Sequence, residues 1–151
     1  MALAKSRYNS ISGEFFPKFP NKFKGPKPII YKSRLEYYLM LYLDKNPAIV
    51  EWGYEKTIIP YYDTGLKKNR RYFIDFSAKI KTGINTFKTV LIEVKSKKET
   101  HPPIRTPKQS VHTFNEAMRV WMTNSSKWKA AKNYARLHGL EFVVITEDQL
   151  L

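Results

Sequence analysis

A chain of 151 residues is the length of one domain, which excludes two large ones. Its 27 Lys and Arg against 13 Asp and Glu leave a formal net charge of +14, and that excess points to a polyanionic partner. The absence of cysteine excludes disulfides, thiolate zinc sites and cysteine nucleophiles, while 15% aromatic residues exclude a wholly disordered basic tail.

Residues 1–28 contain Gly13, Pro17, Pro20, Gly25, Pro26 and Pro28, which break any sustained period. They are expected to form a basic, extended arm on a domain spanning residues 29–151, tacked down by Phe15, Phe16, Phe19 and Phe23 in preference to ordering only on nucleic acid. Ser33-Arg34-Leu35-Glu36 has the form of a capping box, and Leu35, Leu39, Tyr42 and Leu43 follow at helical spacing, so a helix is predicted from Ser33 to Asn46-Pro47. Residues 48–62 favour one long strand or a bent one, stopped near Pro60. Residues 63–69, with Gly65, read as a turn. Over 71–80 Tyr72, Ile74, Phe76, Ala78 and Ile80 alternate with Phe73, Asp75 and Ser77, which predicts a second strand. Thr82-Gly83-Ile84-Asn85 reads as a hairpin connection into a third strand over 87–95. Residues 97–110, interrupted by His101-Pro102-Pro103, are expected to form a functional loop. Two helices are predicted over 113–122 and 126–138, the second capped by Ser126 and ended by Gly139, and a closing strand over 141–146. Helix, three strands, one or two helices, strand is an α/β order, here with a mixed central sheet.

Along the third strand, side chains two apart share a face about 7 Å from each other, so Glu93 and Lys95 point together while Val90, Ile92 and Val94 take the opposite face. If the second and third strands pair, Asp75 meets Glu93 closely enough for the two carboxylates to share a cation. Hard oxygen donors of this kind suit Mg²⁺ or Mn²⁺. Such an ion polarises a phosphate and acidifies a bound water, and Lys95 can orient that water or offset charge on the phosphate, which is the chemistry of phosphodiester hydrolysis. Glu36 would support the site from the first helix, although a Glu at that position also caps. The plainer alternatives are an Asp75 salt bridge to Arg70 or Arg71 and an exposed Glu93–Lys95 ion pair. Lys97 and Lys98, just past the third strand, are placed for phosphate contact. The basic turn Lys67, Lys68, Arg70 and Arg71 could track a second DNA strand, and Lys129, Lys132 and Arg136 recur on one helix face, as a solvated basic face or for phosphate contact with DNA. His101, His112 and His138 are scattered and read as surface or structural residues. Trp52, Trp121 and Trp128 read as core or core rim.

Ile74-Asp75 followed by Glu93-Val94-Lys95, with Glu36 upstream, resembles the PD-(D/E)XK nuclease superfamily, with Ile74 in place of the proline usual before the first Asp. That resemblance implies a restriction-endonuclease-like core of helix, three strands, helix and strand. A closer resemblance, to the head completion nucleases of tailed bacteriophages, runs from Ile30 to the end through Ile30-Tyr31-Lys32-Ser33, Asp44-Lys45-Asn46-Pro47, Val50-Glu51-Trp52-Gly53, Ile59-Pro60-Tyr61, Arg70-Arg71-Tyr72-Phe73 and Lys127-Trp128-Lys129-Ala130-Ala131. The endonuclease subunit of heteromeric transposases is similar around Ser33 to Glu36 and the strands. These resemblances imply metal-dependent DNA cleavage and, for the phage branch, action when a packaged head is completed, in the host cytoplasm or the virion and beside head or portal proteins. A noncatalytic DNA-binding virion protein and a transposase-type or recombination nuclease are the rival readings. No run approaches the ~18 apolar residues of a membrane span, and no signal-peptide core opens the chain.

Overall fold

The computed structural model describes residues 11–54 and 57–151. Strand β1 (Gly13–Phe15) pairs antiparallel with β2 (Ile29–Tyr31). Helix α1 (Arg34–Lys45) begins where the Ser33 hydroxyl accepts the Glu36 amide at 3.1 Å and ends at Asn46, ahead of Pro47. There follow β3 (Ile49–Tyr54), β4 (Ile58–Asp63), β5 (Lys68–Phe73), β6 (Phe76–Gly83), β7 (Thr86–Val94), α2 (Val111–Leu137), β8 (Glu141–Ile145) and a short α3 (Glu147–Leu150). The central sheet has the order β3-β6-β7-β8, antiparallel except that β8 runs parallel to β7, so it is the mixed α/β sheet expected. Strands β4 and β5 form a separate hairpin.

Both faces of the sheet are covered. Val90, Ile92 and Val94 of β7 pack with Phe76 and Ala78 beneath Leu35, Leu39, Met40 and Leu43 of α1. On the other face Leu91 packs with Ile59, Tyr61, Tyr72 and Ile74 against Ala131 of α2. Burial on two faces is why β7 carries a continuous apolar run where a half-exposed strand would alternate.

Three of the predicted elements are corrected. Residues 48–62 hold β3 and part of β4, which lie in different sheets, and Pro60 sits inside β4 opposite Arg71. A two-stranded hairpin has only edges, so the missing Pro60 amide breaks no interior ladder. The predicted strand over 71–80 is cut at Ile74-Asp75, between β5 and β6. Tyr72 and Ile74 belong to the α2-side core and Phe76 and Ala78 to the α1-side core, so an unbroken alternation passes through a crossing between layers. The two helices over 113–138 are one 27-residue helix capped by Ser110, in which the Ser126 hydroxyl bonds back to the Met122 carbonyl at 2.8 Å. Gly139 does end it, at φ +67.

Of the four N-terminal phenylalanines, Phe15 and Phe23 are buried edge-on against Trp52 at centroid distances of 6.0 and 4.8 Å, whereas Phe16 and Phe19 are exposed. The buried Asp44 carboxylate accepts the Lys18 and Phe19 amides at 2.8 and 3.0 Å, tying this segment to the end of α1. Residues 1–10 of the expected arm lie outside the described residues.

Candidate active site

The break between β5 and β6 places Asp75. Phe76 pairs with Ile92, so one step further along the antiparallel register Asp75 comes opposite Glu93, and its carboxylate accepts the Val94 amide at 3.0 Å. Asp75 is therefore on the connection rather than in a strand, and its unsuitability for a strand helps to end the pairing there.

Glu93 is only 4% exposed. Its carboxylate accepts a short hydrogen bond from the Tyr72 hydroxyl and lies 4.0 Å from the Lys95 ammonium. Burial, and next the charge of Asp75, push the Glu93 carboxyl above the usual carboxylate range, against the pull of Tyr72, Lys95 and Lys127. Burial and the Glu93 charge likewise raise the Tyr72 phenol, which keeps it a donor. Glu36 does two things at once. Its amide completes the Ser33 cap, while its carboxylate turns to the Lys32 amide at 3.0 Å and the Tyr54 hydroxyl at 3.4 Å. Burial raises its pKa, with Asp75 adding to the shift against the Lys32 amide.

Glu36, Asp75, Glu93 and Lys95 line one cavity of about 290 Å³, together with Ser33, Arg34, Ser96 and Glu99. The sequence reading missed Glu99, whose carboxylate is held by the Ser96 hydroxyl at 2.7 Å, and it missed Tyr72 and Lys127. Lys127 reaches over the Tyr72 ring from α2 at 5.5 Å; burial lowers its pKa while Glu93 raises it. Only the crossing of α2 over the sheet brings it there, and no local spacing signals that.

Among the described residues no three His, Asp or Glu side chains are grouped closely enough to enclose a metal ion. The Asp75 and Glu93 carboxylates, of which Glu93 is raised by burial and by the charge of Asp75, nevertheless fit Mg²⁺ or Mn²⁺, because such ions are held by one or two carboxylates and keep water and phosphate oxygens in their remaining positions.

The basic residues are dispersed. Lys97 pairs with Asp148 at 3.0 Å, and its amide donates to Glu147 at 2.7 Å, whereas Lys98 is exposed beside a second cleft that His101 and Trp121 share. Lys67, Lys68 and Arg71 are exposed on the hairpin, and Arg70 pairs with buried Asp63 at 3.3 Å. Lys129, Lys132 and Arg136 line a different cleft, outside the carboxylate cavity. No histidine lines that cavity among the described residues; His138 stacks on Tyr134 at the end of α2. Trp52 and Trp128 are buried, as expected, and Trp121 is half-buried edge-on to Trp128.

Residues 46–147 match the family described as TnsA-like endonuclease N terminal, a span that includes Asp75, Glu93 and Lys95 and begins after Glu36. The chain is also similar to the head completion nuclease of Enterobacteria phage T4, with 40% identity over 145 residues covering 93% of this chain and 94% of that relative. No helix among the described residues is long and apolar enough to cross a membrane.

Proposed function

The chain belongs to the TnsA-like endonuclease N-terminal family, and from that premise we propose that it is a DNA endonuclease of the PD-(D/E)XK type, dependent on Mg²⁺ or Mn²⁺, that acts when a phage head is completed. The observation that carries the reading is the convergence of Glu36, Asp75, Glu93 and Lys95, from three separate stretches of chain, on one cavity. Asp75 and Glu93 would hold the ion, which when bound acidifies a water and polarises the scissile phosphate. Lys95 offsets charge developing on that phosphate. Tyr72 fixes the Glu93 carboxylate, and Glu36 closes the acidic wall from α1. Lys98 and the hairpin cations Lys67, Lys68 and Arg71 would meet the flanking backbone, with Lys97 and Arg70 contributing through charges already shared with Asp148 and Asp63. The near full-length similarity to a phage protein favours head completion, in the host cytoplasm or virion and beside head or portal proteins, over a transposase setting.

The test is cleavage of linear, nicked and branched DNA with Mg²⁺ or Mn²⁺. Chelator is expected to abolish cutting, and Asp75→Ala, Glu93→Gln or Lys95→Ala to slow it by at least ~100-fold, the cost of losing a positioned catalytic group. Folded variants that cut at the wild-type rate would refute the assignment.

A further inference from the structure

One large cleft in the described protein belongs to none of this machinery. It measures about 660 Å³ and lies between α2 and the β4–β5 hairpin, whose walls are joined by the Thr64 and Ser126 hydroxyls at 2.7 Å. One wall presents Lys129, Lys132 and Arg136, spaced by three and four residues and so about 4.5 and 6 Å apart along the helix axis. No carboxylate lines it among the described residues. The other wall presents Tyr61 and Tyr62. Tyr62 is half-exposed, with its ring open to a ligand. Tyr61 is only 6% exposed, yet its hydroxyl has no hydrogen-bond partner among the described residues. A buried hydroxyl left unpaired is costly, and Tyr61 is one of the residues lining this cleft, so a ligand seated there would supply the missing acceptor.

We propose that this cleft binds a single strand of DNA. Cations that follow a backbone beside aromatic rings on which bases stack are the makings of a single-strand site. The volume is that of a small-molecule pocket, room for about two nucleotides and too little for a duplex. The Tyr61 ring meets the Tyr72 ring edge-on at 6.3 Å, and the Tyr72 hydroxyl donates to Glu93, so the strand would be seated two side chains from the carboxylates. The proposal rests on the nuclease reading for its choice of polyanion and names the substrate class: DNA with an unpaired segment next to the cleavage point.

The experiment titrates a labelled oligothymidylate and a blunt duplex of equal length against the full chain by fluorescence anisotropy, in chelator so that nothing is cut. Lys132→Glu and Tyr62→Ala are expected to weaken single-strand binding by about tenfold or more and duplex binding far less. Tyr61→Phe removes only the unpaired hydroxyl; it should weaken single-strand binding without lowering the melting temperature, a combination that a packing role would not produce. Variants that bind the oligonucleotide as the wild type does, or that lose single-strand and duplex binding equally, would overturn the proposal. The reading is separable from catalysis: a wild-type chain that binds the single strand through these residues but cuts nothing would sink the nuclease assignment and leave this one standing.

Discussion

Glu93 is a buried acid held in an environment that opposes its charge, and two neighbours decide how it can be used. Asp75 repels it, and Tyr72 orients it. The spacing of Glu93 and Lys95 was legible because strand geometry leaves no choice of face, and Asp75 could be paired with Glu93 from the hairpin alone. Tyr72 was legible only as a core residue, since its hydroxyl points past the apolar stripe its ring belongs to. If Tyr72 acts by fixing Glu93, Tyr72→Phe should keep the ring packing and the melting temperature yet cost about 10–100-fold in metal affinity or rate, as loss of a group that orients a ligand does. Metal titrations of the cleavage rate check this. An unchanged metal dependence would reduce Tyr72 to packing. Glu36 separates in the same way: Glu36→Gln retains its amide in the Ser33 cap and loses the charge, so lost activity at constant melting temperature assigns Glu36 to the site rather than to the helix end.

The elements that escaped the sequence reading are those whose boundaries depend on tertiary contacts. The alternation through Tyr72, Ile74, Phe76 and Ala78 is real, but periodicity cannot tell one core from two. Ser126 looks like a cap because serine commonly is one; here its hydroxyl is occupied by Met122 and Thr64 and the helix runs on. What fixes the hairpin against α2 is Asp63. Its fully buried carboxylate accepts the Thr123 hydroxyl at 2.7 Å, the Gly65 and Leu66 amides at 2.8 and 3.0 Å, and Arg70. Gly65 is required there by close approach, since a Cβ would stand 2.5 Å from the Arg119 carbonyl oxygen. Burial pushes the Asp63 carboxyl up, but the four donors outweigh burial and hold it below its ordinary value. A depressed folded pKa gives stability that is present above the unfolded value of about 3.9 and lost as pH falls through the folded one. Asp63→Asn should therefore cost about 1–3 kcal/mol at pH 7, through donors left poorly paired. In urea unfolding the gap to wild type should narrow below pH 4; a gap independent of pH would show that the charge of Asp63 is not what the donors hold.

For the whole molecule the charge of +14 was legible at once, whereas the disposition of that charge was not. Lys97 and Lys98 are equivalent in the sequence, adjacent and just beyond the lysine of the site. The fold makes them unequal, because α3 follows β8 back to the end of β7 and sets Asp148 3.0 Å from the Lys97 ammonium. A cation already neutralised by a carboxylate displaces less counterion from DNA than an exposed one. Each phosphate contacted by a cation lowers the slope of log K against log salt by about 0.9 on duplex DNA. Lys98→Ala should accordingly make the slope shallower by nearly that amount, alike on every sequence, while Lys97→Ala changes it less. Titrations of a duplex over increasing KCl, in chelator, measure both slopes. Equal changes would mean that Asp148 releases Lys97 when DNA arrives, and a loss confined to one sequence would mean that these lysines read bases instead of meeting phosphates.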